Sequence, residues 1–378
     1  MIITNIHDLR ELARRRLPHS LFDFIDGGAG DEVTLRANES DFHRFALLPR
    51  VLTDVSKRDQ SVTVLGQKLD LPLILAPTGL PGILWPRGAL EAALAADQAG
   101  AAFCLSTMST SSIEVVSESV KRPIWFQLYV LRDRGLAKAM MERARDAGCS
   151  VLALTVDLAM QGQRDRDIRN GLTIPPQLRF SNLVDFAMHP GWLMRFLTGP
   201  KPTLANFIGA ARHKNDMFTI AGFVNSQFDQ SVTWKDIDWA RDTWGGPLVL
   251  KGVLNPEDAA LAVQHGVDGV IVSNHGGRQL DGVQSAIAAL PGVVDAAQGK
   301  MDIILDGGVR RGTDVVKAIA LGAKACMIGR PFLYGLAGMG GAGVARALEI
   351  FRGEIDLALA LTGRASLADL DRSAIAWA

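Results

Sequence analysis

Eight short apolar runs recur after the first seventy residues: Pro72–Pro77, Phe103–Ser109, Ile124–Tyr129, Val151–Asp157, Pro247–Gly252, Gly269–His275, Asp302–Gly308 and Ala325–Pro331. Runs this short, with no polar face of their own, suit strands buried on both sides. Most are separated by Ala-, Leu- and charge-rich stretches with helical spacing, such as Gly88–Gly100, Asp133–Gly148, Pro256–His265 and Gly312–Gly322. Strands alternating with helices imply parallel pairing through right-handed crossovers. Eight such units in 378 residues predict an α/β protein, a closed (β/α)8 barrel of the TIM type. A doubly wound open sheet is the alternative, but no Gly-x-Gly-x-x-Gly follows the first strand.

The expected organisation is one domain: an N-terminal helical cap over residues 1–70, a barrel over 71–350 and a C-terminal tail over 351–378. The connection after the fourth strand, roughly Gln161–Trp244, is unusually long. Long excursions in compact domains are usually lids, binding loops or disordered segments. Its middle, Phe186–Pro200, is apolar and aromatic with few charges, and Trp192, Phe196 and Leu197 near Arg195 and Lys201 suit a membrane interface. Packing over the barrel mouth or against another subunit would account for the same residues.

Composition narrows the function classes. Hydrophobic residues make up 48% of the chain and charged residues 21%, ordinary for a globular protein with a large core. Net charge is zero, so no general attraction to nucleic acid follows. Cys104, Cys149 and Cys326 sit in apolar runs without metal-ligand spacing and read as buried free thiols; no metal is expected. The N-terminus lacks a basic start followed by an apolar core, and no apolar run reaches the ~18 residues of a membrane span. A cytoplasmic location is expected, peripheral on the cytoplasmic face of the inner membrane if the long loop makes contact.

Polar residues collect at the carboxyl ends of the apolar runs: Thr78, Ser106, Gln127, Tyr129, Thr155, Asp157, Lys251, Ser273, His275 and Asp306. In a barrel these ends converge on one face, where active sites lie. The segment Ser273–Gly282 places His275, Gly276, Gly277 and Arg278 directly after a strand. Imidazole takes a proton near neutral pH, and a guanidinium three residues on holds a carboxylate with two hydrogen bonds. The glycines let backbone approach a flat or phosphorylated ligand. Asp306–Gly312 and Ile328–Pro331 offer unshielded N–H groups beside arginines after the last two strands, the usual phosphate position in barrels. Lys251 adds a cation deep in the same mouth, where an ion pair with Asp306 would also account for it.

These motifs resemble the FMN-dependent L-2-hydroxy acid oxidase and dehydrogenase family. The resemblance runs through Leu17–Phe24, Ala76–Gly79, Trp125–Tyr129, Leu154–Asp157, Leu250–Gly252, Ser273–Gly282 and Leu305–Asp314. Thr78–Leu80, Leu84–Pro86, Tyr129–Gly135 and the long loop look nearest to the membrane-bound bacterial lactate and mandelate dehydrogenases. The resemblance implies that His275 is the base, oriented by Asp157, and that Arg164 and Arg278 hold the substrate carboxylate. Tyr129 would hydrogen-bond near the reacting hydroxyl. Pro77, Thr78, Gly79, Ser106, Gln127, Thr155, Lys251 and Ser273 would contact the flavin ring and ribityl chain. Asp306, Gly307, Gly308, Arg310, Gly329 and Arg330 would hold the ribityl and phosphate end.

Some positions depart from the family pattern. Phe24 stands where a tyrosine is usual, so one donor to the carboxylate is lost. Met108 replaces the tryptophan of glycolate oxidases and opens the pocket, while Gln161 occupies a variable position that tunes side-chain preference. Gly79, where oxidases often carry alanine, fits the dehydrogenase branch. The expected activity is oxidation of an L-2-hydroxy acid to the 2-oxo acid, with lactate first and mandelate-like acids second. Electrons would pass to a membrane quinone or another non-oxygen acceptor, and the protein would be a homo-oligomer, a tetramer by resemblance. A soluble oxidase producing H2O2 is the nearest alternative; a flavin-free barrel acting on a phosphorylated metabolite is the more distant one.

Overall fold

The computed structural model describes residues 1–173, 177, 179–208, 222–223 and 226–377. All eight predicted strands form: Leu73–Leu75, Ala102–Ser106, Trp125–Tyr129, Val151–Thr155, Leu248–Val253, Gly269–Ser273, Asp302–Asp306 and Ala325–Ile328. They pair in parallel around a closed ring, the eighth lying between the seventh and the first. Several strands stop before their apolar runs do, so Pro77, Thr78, Asp157, His275, Gly307, Gly308 and Gly329 fall in the loops of one face. Inside the ring, Ile74, Cys104, Trp125, Val249, Ile304 and Met327 pack into a dry core, which makes the barrel a scaffold rather than a pore.

The crossover helices follow their sequence signals. Arg134–Asp146 starts where the Asp133 side chain accepts from the Leu136 N–H, and it buries Ala137, Met140, Met141 and Ala144 against the barrel. Pro256–Gln264 begins with a proline behind an Asn255 cap, a pairing that suits the first turn because proline lacks the N–H that would go unpaired there. The helix Gly341–Leu361 runs through the point where the C-terminal tail was expected, because its buried stripe continues through Phe351, Ile355 and Leu359.

The first seventy residues reach both ends of the barrel, not one. Helices His19–Asp26 and Val33–Ser40 lie beside the mouth, where Phe24 lines the cavity described below and Asn38 bonds Asn274. The hairpin Val62–Val64/Gln67–Leu69 closes the opposite end, with Leu65 N–H on Asp302 and Gln67 on the Trp125 indole N–H. Alternation in this stretch is too short to separate a plug from a cap in sequence. Phe45–Leu47 pairs antiparallel with Ile375–Trp377, tying the two ends of the chain together.

Within the excursion after strand four, helices Asp165–Arg169, Phe180–Ala187 and Pro190–Thr198 are formed, and Trp234–Trp244 is the crossover helix into strand five. Residues 174–176, 178, 209–221 and 224–225 of the expected excursion lie outside the described residues. Trp192 departs from expectation. It is only 5% exposed, because its indole N–H donates to the Ile83 carbonyl at 2.8 Å and its ring stacks on Phe196. Phe196 and Leu197 are exposed as expected, together with Phe180, Leu183, Val184, Met188 and Met194. Among the described residues no helix is long and apolar enough to cross a membrane, and no metal-binding cluster is found.

Candidate active site

The mouth of the barrel holds a cavity of about 260 Å³. Its backbone geometry comes from the glycine-rich loops. After strand six, His275 itself takes a left-handed φ of 59°, followed by Gly276 at 66° and Gly277 at 72°. This tight turn is pinned by Asn274, whose side-chain oxygen accepts from the Gly277 N–H while its amide and that of Asn38 bond reciprocally at 2.8 Å. A side chain on Gly277 would meet the Leu35 backbone at 2.7 Å, and one on Gly308 would lie 1.8 Å from the Asn38 carbonyl oxygen. Glycine is therefore required where the N-terminal segment closes on these loops.

Most of the residues singled out by sequence line this cavity: Phe24, Pro77, Thr78, Gly79, Ser106, Met108, Tyr129, Gln161, Arg164, Lys251, His275, Arg278, Asp306, Gly307, Gly308, Arg310, Gly329 and Arg330. Four stand just behind it and act through hydrogen bonds. Asp157 meets His275 Nδ1 at 3.0 Å. Gln127 accepts from Ser106 Oγ at 3.2 Å and donates to Thr155 Oγ1 at 2.9 Å. Ser273 Oγ donates to Asp306 at 2.7 Å and accepts from Lys251 Nζ at 3.0 Å.

The Lys251–Asp306 ion pair is formed, at 2.6 Å. An ammonium has three protons; Asp306 and Ser273 take two, leaving one for a ligand in the cavity. Burial works against the Lys251 charge, yet Asp306 and Asp157 outweigh it and hold the ammonium above its ordinary value. Burial likewise opposes the Asp157 carboxylate, and the adjacent His275 ring with Lys251 holds it below its ordinary value. Gly252, at φ 109°, makes room for this carboxylate, since a Cβ there would fall 2.5 Å from Asp157.

At the other wall the charges are unbalanced. Burial, then Arg164 and Arg330, pull the Arg278 guanidinium down to about 9. Arg278 donates to the Gly27 carbonyl at 2.8 Å and lies over the Phe24 ring at 5.4 Å; Arg164 pairs with Asp167 at 2.7 Å. Buried guanidiniums crowded against one another favour an anion between them. The half-buried Tyr129 has its phenol pushed up by desolvation and by Asp157, and stays protonated as a donor.

The residues present fit a flavin mononucleotide. Arg330 spends its hydrogen bonds on the carbonyls of Asp26, Gly276 and Gly27, so its charge is not cancelled by a direct carboxylate bond. A Cβ on Gly329 would rest in ordinary contact with Ala76 at 3.8 Å, so nothing crowds the start of helix Arg330–Met339, whose first N–H groups suit a phosphate. From there the cavity runs past Met327, Ile328 and Ala76, apolar walls for a flat ring, to Lys251 and His275.

Sequence reasoning missed Leu80, Leu158, Phe228 and Gln279 in the lining. Gln279 donates to the carbonyls of Asp157 and Met160 and accepts from the Gly162 N–H, fastening the loop after strand four. Its place within Ser273–Gly282 was the available signal. Phe228 lies in the excursion, where no pattern marks it.

A parallel barrel with a histidine–carboxylate pair, clustered guanidiniums and a phosphate-ready glycine cradle is built as a flavin-dependent oxidoreductase. Residues 13–377 match the FMN-dependent dehydrogenase family, and the chain belongs to it. FMN is its cofactor, and its reaction is the oxidation of an L-2-hydroxy acid. The chain is 46% identical to an L-lactate dehydrogenase of Caulobacter sp. over 377 residues, covering 100% of this chain and 99% of the relative. It is also 46% identical to that of Haemophilus influenzae, covering 99% and 98%. Among solved structures it superposes on the monotopic membrane protein (S)-mandelate dehydrogenase with a TM-score of 0.96, 39% identity and 100% of both chains covered. A mandelate oxidase is similar at a TM-score of 0.84, with 36% identity and 97% of each chain covered.

Proposed function

We propose that the protein oxidises L-lactate to pyruvate, with larger mandelate-like acids as secondary substrates, and passes the electrons to a membrane quinone. The observation that carries the reading is the placement of the His275–Asp157 pair and the crowded Arg164 and Arg278 guanidiniums around one cavity. Arg278 and Arg164 hold the carboxylate and so fix the 2-carbon beside His275. With Nδ1–H donated to Asp157, Nε2 of His275 is the free lone pair that takes the hydroxyl proton, and Asp157 stabilises the resulting imidazolium. Tyr129 orients that hydroxyl. FMN, when bound, supplies the two-electron acceptor for the α-hydrogen. Lys251 and the backbone near Gly79 and Ser106 would hold its ring, and Gly308, Arg310, Gly329 and Arg330 its phosphate end. Met108 and Gln161 shape the side-chain end of the pocket.

Membrane contact is part of the same proposal. Helices Phe180–Ala187 and Pro190–Thr198 and the joint between them expose Phe180, Leu197 and Met188 by 70% or more, a pattern suited to lying in an interface. They would seat the protein on the cytoplasmic face of the inner membrane, within reach of a quinone, as a homo-oligomer and by resemblance a tetramer.

The test is an anaerobic absorbance titration of the purified holoprotein with L-lactate, then L-mandelate and glycolate. Bleaching of the flavin band near ~450 nm, a property of the cofactor, by L-lactate at the lowest concentration is the expected result. A flavin that none of the acids reduces would overturn the substrate assignment. Stoichiometric H2O2 during turnover in air would overturn the quinone assignment in favour of an oxidase.

A further inference from the structure

Two cavities meet at Phe228. Beyond the site cavity lies a second one of about 300 Å³, bounded by the loops after strands three, four and five, and Tyr129, Leu158 and Phe228 line both. The walls of the second cavity include Val130, Val232, Trp234, Ile237, Leu250 and Val253. Asp229 and Asp258 also border it, with Thr155, Gln230 and Thr233, which makes it a poor place for a second anion. The Phe228 ring meets Tyr129 edge to face, with centroids 5.2 Å apart at 90°.

The partition is held firmly. Phe228 forms an antiparallel bridge to Leu131. On one side of it the Gln227 carbonyl accepts from the Arg132 N–H at 2.8 Å, and on the other Asp229 pairs with Arg134 at 2.8 Å. The lining of the site cavity includes the apolar side chains of Leu80, Met108, Leu158 and Phe228. Apolar burial favours these residues as the place where a 2-hydroxy acid held by its carboxylate on Arg278 would put its side chain.

We propose that Phe228 is a specificity-determining residue that sets the length limit of the substrate side chain, and that the cavity behind it is a latent extension for long-chain L-2-hydroxy acids. The proposal rests on the hydroxy-acid reading of the site. It is tested with flavin-loaded Phe228→Ala by measuring kcat/KM for flavin reduction by L-2-hydroxyoctanoate and by L-lactate. The ratio of the two is the readout, because any loss from a displaced Tyr129 affects both acids. It should rise at least about tenfold over the unaltered protein, in line with burial of a few additional methylenes. Adding Val232→Trp, which fills the second cavity, should reverse the gain. If Phe228→Ala does not retain flavin, Phe228→Leu carries the same test with a smaller rise. An unchanged ratio in a flavin-loaded variant overturns the proposal. Should no 2-hydroxy acid reduce the unaltered protein, the reaction assignment fails separately, and the partition is scored by flavin-perturbation affinities for pyruvate and 2-oxooctanoate, with the same ratio expected to rise.

Discussion

The barrel mouth and the excursion after strand four solve opposite problems. At the mouth, polar side chains are taken out of water and partnered: Lys251 with Asp306 and Ser273, Asp157 with His275, Gln127 with Ser106 and Thr155. On helices Phe180–Ala187 and Pro190–Thr198, apolar side chains are left in water, with Phe180 80% and Leu197 70% exposed. Burying charges is costly unless they are paired, and exposing a contiguous apolar patch marks an interaction surface. On the proposed reading the first region serves chemistry and the second contact. Trp192 marks the boundary, since it belongs to the second by sequence but is drawn into the fold by its bond to Ile83.

If that division is right, damage at the mouth should cost turnover and damage on the excursion should cost attachment. The largest effect is expected for His275→Gln, which should keep FMN but lower turnover by about 10²–10⁴, the span ascribed to a positioned acid or base. A near-normal rate measured by stopped flow would remove His275 from the reaction. Phe24→Tyr should act in the favourable direction. Its new hydroxyl reaches the carboxylate end of the cavity beside Arg278, and a hydrogen bond to a charged group is worth ~1.5–3 kcal/mol. The KM for L-lactate should therefore fall about tenfold or more; an unchanged KM would mean that the guanidiniums already saturate the carboxylate.

On the excursion, Leu197→Glu should cut sedimentation with anionic vesicles about tenfold or more, since it removes apolar area whose burial is worth ~1.5–3 kcal/mol, and leave flavin reduction by L-lactate in solution unchanged. Lost reduction with retained sedimentation would reverse the comparison and make these helices part of the site. The smallest effect concerns the helix and strand packing beneath both regions. Burial pushes the Cys149 thiol up to about 11, so at pH 8 roughly one molecule in a thousand carries the reactive thiolate there. Iodoacetamide should leave the native thiols unlabelled over hours and label them only on unfolding; prompt labelling would show that the outer packing opens.

The order of apolar runs and helical stretches in the sequence determined the barrel, because a closed parallel ring is the compact arrangement that buries eight such runs through right-handed crossovers. Residue type and position at the strand ends determined most of the site as well, since a barrel brings those ends together whatever the detailed packing. The resemblance legible in Ser273–Gly282 and Leu305–Asp314 supplied roles that spacing alone does not carry. Tertiary structure decided what depends on neighbours distant in the chain. Gly308 must be glycine because Asn38, from the N-terminal segment, lies against it. The crowding of Arg278 by Arg164 and Arg330 exists only after three loops converge. The hairpin at the far end of the barrel, the burial of Trp192 and the standing of Phe228 between two cavities were likewise invisible in sequence. Periodicity reports which face of an element is buried; only packing determines what it is buried against.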